Sequence, residues 1–94
     1  MATYVSLLKW TDKGREEVST LADRVDQVSK QLAEWGVQMK DSWTTMGQYD
    51  QIVVLEASDD GAIAKALTFV AGRGYATSET LRAWSMDEVR SMQD

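Results

Sequence analysis

Few side chains in this sequence are equipped for chemistry, and they fall at separated places. Lys9, Trp10 and Thr11 follow one another near the start. Tyr49 and Asp50 close a turn that holds Gly47, and Arg73, Gly74 and Tyr75 stand together further on. These groups offer aromatic walls, cations and one carboxylate. That is the make-up of a small-molecule pocket more than of a nucleophile–base pair. There is no cysteine and no histidine, which excludes disulfides, thiolate chemistry, Ser-His-Asp catalysis and the usual zinc sites. Only carboxylates are left to bind a metal, and no acidic-loop spacing is present, so neither metal nor cofactor is expected.

Whether these residues meet depends on the elements that carry them. Residues 3–10 read as a strand with Val5 and Leu7 on one face and Tyr4, Ser6, Leu8 and Trp10 on the other. From Thr11 the period changes: Val18, Leu21, Val25, Val28, Leu32 and Trp35 recur at three and four, the mark of an amphipathic helix stopped by Gly36. Gly14 weakens the first turn, which predicts a short or irregular helix before the main one. A second strand over 37–46 has one mostly polar face and suits a sheet edge. The 47–50 turn leads by a hairpin into Ile52, Val53, Val54 and Leu55, a continuous apolar run of the kind found in strands covered on both faces. Ser58 or Asp59 caps a second helix carrying Ile63, Leu67 and Val70. A last strand over 76–84 and a short helix capped by Ser85 or Asp87 complete the chain.

The order is β-α-β-β-α-β with a terminal helix, an α+β ferredoxin-like pattern forming one domain over residues 1–94. It predicts an antiparallel sheet in the order 4-1-3-2, with both main helices on one face. The end of the first strand then lies beside the beginnings of the third and fourth. Lys9, Trp10, Tyr49, Asp50 and Tyr75 therefore converge as a candidate ligand site. Within it, Gly47 reads first as a turn glycine, and Asp50 either caps the turn or pairs with Lys9. Trp10 and Tyr49 serve either as packing or as ligand wall, since each has a polar tip. A second candidate is Tyr4 flanked by Glu56 and Arg82 on the face away from the helices. There the two charges would form a cross-strand ion pair, or Arg82 would hold a substrate carboxylate.

Three motifs resemble the GYD-domain family: Lys9-Trp10-Thr11-Asp12, Thr45-Met46-Gly47-Gln48-Tyr49-Asp50 and Glu79-Thr80-Leu81-Arg82-Ala83-Trp84-Ser85. The family takes its name from the glycine, tyrosine and aspartate matched here by Gly47, Tyr49 and Asp50. The resemblance runs over residues 3 to 92. Trp84 departs from it, standing where phenylalanine is often expected. It implies a ferredoxin-like subunit of the dimeric α/β-barrel kind from bacterial or archaeal cytoplasm, and it brings no activity with it.

Composition bounds the partners. A chain of 94 residues with 44% hydrophobic content and four tryptophans leaves apolar surface poorly covered, which favours oligomers. A homodimer through the open sheet face is expected, with Tyr4, Leu8, Ile52, Val54 and Trp84 on that face. The net charge of −5 and the lack of a basic stripe argue against nucleic acid. Without a signal peptide or apolar span, the chain reads as cytoplasmic, with no membrane partner. The expected function is a homo-oligomeric module binding a small metabolite near the 47–50 turn. The alternative is a cofactor-independent oxygenase or isomerase using Asp50 or Glu56 as base and Tyr49 or Arg82 to steady an enolate.

Overall fold

A computed structural model of the chain describes residues 1–93. It contains β1 (Ala2–Trp10), a short α1 (Asp12–Glu16), a 3-10 turn (Val18–Thr20), α2 (Leu21–Glu34), β2 (Val37–Thr44), β3 (Gln51–Ala57), α3 (Asp60–Gly72), β4 (Ala76–Ala83) and α4 (Met86–Gln93). The strands form one antiparallel sheet in the order β2-β3-β1-β4, the expected 4-1-3-2 order read from the other edge. The two most apolar strands are its centre.

Local chemistry sets the element boundaries. Thr11 caps α1, its side-chain oxygen accepting the Gly14 N–H at 3.2 Å. Asp59 caps α3 by accepting the Ala62 N–H. Ser85 and Glu88 satisfy each other's backbone N–H groups at the start of α4, a reciprocal capping box. The predicted break ahead of the main helix is the α1 and 3-10 segment, and Val18 falls in it, 45% exposed and outside the apolar stripe. Strand β2 ends at Thr44, two residues before the expected boundary, and carries a register shift between Met39 and Asp41. Such a bulge is typical of an edge strand.

The helix-covered face of the sheet carries the core. Tyr4, Leu8, Val53, Leu55, Val37 and Ala57 are buried there with Leu32 of α2 and with Ile63 and Ala66 of α3. This corrects one expectation. Tyr4 and Leu8, assigned above to the open face, are 5% and 7% exposed beneath the helices. The open face is formed instead by Val5, Leu7, Ile52, Val54 and Leu81, with Trp43 at the edge, as the register Val5↔Val54, Leu7↔Ile52, Val5↔Leu81 and Trp43↔Ile52 requires. Only Ile52 and Val54 of the residues assigned to it remain there. Burial alternates along β3, with Gln51, Val53 and Leu55 buried and Ile52 and Val54 half-buried. The apolar run is thus covered by helices on one side only.

Candidate functional site

Beneath α2 the sheet is incompletely covered. Leu32, near the C-terminal end of that helix, is 1% exposed, whereas Leu21, Val25 and Val28 are only half-buried. The first turns of α2 stand off the sheet and leave a cavity of ≈ 100 Å³. Its roof is Leu21, Val25 and Val28, its floor Leu8, Val53 and Leu55, and its side Val70 from the end of α3. Trp10, Gln51, Arg24, Arg73 and Tyr75 line it at the end where β1 stops and β4 begins.

The polar groups at that end are held by the fold. Trp10 Nε1 donates to Gln51 Oε1 at 3.2 Å, and Gln51 Nε2 donates to Ser42 Oγ at 3.2 Å. The buried amide is thereby satisfied on both sides. Tyr75 is fixed through its backbone, whose carbonyl accepts the Thr11 N–H at 3.0 Å, while the Thr11 hydroxyl donates to the Gly74 carbonyl at 2.6 Å. Gly74 has φ +77°, a conformation that favours glycine. The Tyr75 ring is surrounded by cations: Arg24 Cζ lies 4.0 Å from its centroid, Lys13 Nζ 4.4 Å and Arg73 Cζ 5.6 Å.

The convergence predicted from topology occurs, but the sheet divides it. Trp10 and Tyr75 face the cavity. Lys9 and Tyr49 lie on the open face, where Lys9 Nζ sits 5.5 Å from the Tyr49 ring centroid and the Tyr49 hydroxyl donates to Glu79 Oε2 at 2.7 Å. That bond pushes the phenol pKa upward, with burial and the Glu79 charge adding to it. Asp50 joins the two halves. Its carboxylate accepts the Trp10 backbone N–H at 2.9 Å, so it holds β1 instead of pairing with Lys9. Gly47 has φ +113° and is the turn glycine expected.

The second cluster also differs from expectation. Arg82 does lie beside Tyr4, its Cζ 5.4 Å from that ring and 4.4 Å from the ring of Trp84, but on the helix-covered face. Arg82 donates to the carbonyls of Thr3 and Ala83. The Tyr4 hydroxyl donates to Asp60, which is the first cause of that phenol's raised pKa. Glu56 pairs in register with Thr3 and Gln38 on the opposite face, and its ion-pair partner among the described residues is Lys40 at 4.0 Å. The expected Glu56–Arg82 pair does not form, because the two residues have opposite strand parity about β1.

Several residues that build the site escaped sequence reasoning. Gln51 precedes the apolar run yet shares the parity of Val53 and Leu55, a signal that was available. Arg24 sits between Leu21 and Val25 on the rim of the apolar stripe. Gly14 gave no such signal: a Cβ there would lie 2.2 Å from the Tyr75 carbonyl oxygen, a contact between segments about 60 residues apart.

The GYD domain matches residues 4–92 of the chain. A curated relative, the glutamine synthetase and cystathionine beta-lyase binding protein of Thermus thermophilus, is 32% identical over 84 residues, covering 88% of each chain. Among solved structures, the crystal structure of TTHA0845, also from Thermus thermophilus, superposes with a TM-score of 0.57 at 21% identity, over 90% of this chain and 95% of that one. That likeness shows the shared fold.

Proposed function

We propose, from the premise that the chain belongs to the GYD-domain family, that it is a non-catalytic binding module. It pairs with itself through the open sheet face and takes a small molecule in the cavity beneath α2. The observation that carries this is the lining of the cavity: apolar walls with arginine, tyrosine, tryptophan and glutamine gathered at one end, the composition usual in a small-molecule site. At ≈ 100 Å³ the space suits a compact ligand. The lining includes no carboxylate and, in a chain without histidine or cysteine, no group suited to act as general base at neutral pH. Asp50 and Glu56, the bases that an isomerase or oxygenase would need, are respectively committed to a backbone N–H and placed on the other face. Both facts favour binding over the enzymatic alternative.

Native mass spectrometry of the protein purified from its own host tests the reading. The expected result is an oligomer carrying a small molecule that Val28→Phe, which fills the cavity, excludes. An empty wild-type protein, or a molecule retained equally by the variant, overturns it.

A second reading has its own support. The relative that is 32% identical is named for binding glutamine synthetase and cystathionine beta-lyase, and by that likeness this chain docks on a metabolic enzyme. Co-purification of glutamine synthetase with the tagged chain from host extract is expected on this reading. Purified glutamine synthetase that fails to bind at micromolar concentration counts against it. In either case the chain acts through contacts and not through bond chemistry. No helix among the described residues is long and apolar enough to cross a membrane.

A further inference from the structure

We infer that the cavity beneath α2 takes a small organic anion with an apolar body and no ammonium group, its carboxylate or phosphate held by Arg24 and Arg73 beside Tyr75. This rests on the reading of that cavity as a ligand site and names the chemistry it selects.

The charge distribution is the first ground. The chain carries a net charge of −5, yet Lys13, Arg24 and Arg73 gather around one tyrosine ring. Among the described residues the ion pairs are Arg15–Asp12, Lys40–Glu56 and Arg90–Asp87, so none of these three cations has a carboxylate partner there. Three cations gathered on one ring with no carboxylate in salt-bridge contact favour a local positive potential that attracts an anion.

The second ground is how the guanidiniums are held. Arg24 is positioned by bonds from Nε to the Thr20 hydroxyl at 3.2 Å and from Nη2 to the Glu17 carbonyl at 3.1 Å. Its Nη1 has no partner among the described residues. Arg73 lies between the rings of Phe69, at 5.7 Å, and Tyr75, at 5.6 Å, and its guanidinium donates to no described residue. A guanidinium beside aromatic rings keeps its N–H groups available, and their fork matches a carboxylate or phosphate. Both arginines are half-buried and both line the cavity.

The third ground is what the lining lacks. With no Asp or Glu in it, an ammonium group would lose its water beside two guanidiniums of like charge and gain no carboxylate to pair with, which is costly. Free amino acids are therefore disfavoured against plain carboxylates and phosphate monoesters. Leu21, Val25, Val28 and Val70 receive the apolar body.

Isothermal titration calorimetry of the wild-type protein with hexanoate, phenyl phosphate, hexanol and leucine tests this. At least one of the two anions is expected to bind, while hexanol and leucine bind at least about tenfold more weakly, the order of a charge-assisted hydrogen bond. Arg73→Gln and Arg24→Gln should each weaken the anion about as much while leaving the melting temperature near wild type. The binding anion identifies the head group. Hexanol or leucine binding as tightly as the anions, or arginine variants that bind unchanged, overturns the anion assignment and leaves the cavity reading intact. A host molecule retained by the wild type and excluded by Val28→Phe, with neither anion binding, overturns the assignment in the same way. If neither anion binds and no host molecule is retained, the cavity reading falls with it.

Discussion

The Asp50 carboxylate accepts the backbone N–H of Trp10 at 2.9 Å, while the Asp50 backbone N–H donates to the Leu8 carbonyl at 2.8 Å. One residue thus fastens the last turn of the hairpin to the end of β1 through both its side chain and its main chain. The aspartate that closes the Gly47–Tyr49–Asp50 motif therefore has a structural role, setting where Trp10 enters the cavity end.

Replacing Asp50 separates charge from hydrogen bonding. Asp50→Ala leaves the Trp10 N–H without its acceptor and is expected to cost about 1.5–3 kcal/mol, the range for hydrogen bonds to charged groups. Asp50→Asn keeps an acceptor and should cost less. Urea denaturation of the two variants decides the matter, and equal losses would mean that the charge, not the bond, is what stabilises.

Gly14→Ala pits two effects against each other. Alanine is favoured over glycine in a helix by about 1 kcal/mol, but its Cβ would meet the Tyr75 carbonyl oxygen at 2.2 Å. That oxygen is backbone and already accepts the Thr11 N–H, so it has little freedom to move. The clash should win, with a net loss of about 1–3 kcal/mol and a change in the environment of Trp10 visible in its fluorescence. A variant at least as stable as wild type would show that α1 can shift without cost.

The apolar stripe of α2 should be energetically uneven. Leu32→Ala, at a side chain 1% exposed, is expected to cost about 2–5 kcal/mol. Val25→Ala, at a half-buried side chain lining the cavity, should cost about 1 kcal/mol or less. Similar losses at the two positions would mean that the helix is seated on the sheet along its whole length.

This unevenness marks how far the sequence could be read. The helix, its phase and its glycine stop were legible from the spacing of Leu21, Val25, Val28 and Leu32, and the sheet order followed from the alternation of strands and helices. Which face of β1 the helices cover was not legible. Val5 and Leu7 are as apolar as Tyr4 and Leu8, and only the pairing of Tyr4 with Leu55 and Arg82 places the second set inside. The register of β1 against β3 was not legible either: it sets Glu56 opposite Thr3 and Leu55 opposite Tyr4, and that parity, not the choice of covered face, parts Glu56 from Arg82. The Asp50–Trp10 bond and the gathering of Lys13, Arg24 and Arg73 on Tyr75 join distant segments through register and helix placement, which no local pattern encodes.

The Tyr49–Glu79 bond has a pH signature. The phenol donates to a carboxylate, which favours the protonated form and raises the folded pKa above the unfolded value of about 10. A raised pKa contributes stability that is fully present below the unfolded value and is lost as pH rises through the folded one. Following phenolate absorbance, Glu79→Ala should move the Tyr49 transition downward and Tyr49→Phe should remove it. A transition unmoved by Glu79→Ala would show that the bond is not populated in solution.

The open sheet face gives the prediction on assembly. Val5, Leu7, Ile52 and Val54 are half-buried and, with the more exposed Leu81 and Trp43, form an apolar surface that no helix covers. Contiguous patches of this kind on a small domain mark an interaction site, and two sheets packed face to face would bury the patch about 10 Å apart. A charge at its centre must then lose its hydration against an apolar partner. On the proposal that copies of the chain pair through this face, the wild type is expected to sediment as an oligomer and Val54→Glu as a monomer with a native circular dichroism spectrum, since Val54 makes no part of the helix-side core. Tyr4 and Leu8, on the covered face, provide the contrast: charge there should unfold the chain, not dissociate it. A wild-type protein that sediments as a monomer at micromolar concentration, or a Val54→Glu variant that still associates, removes the open face as the site of pairing.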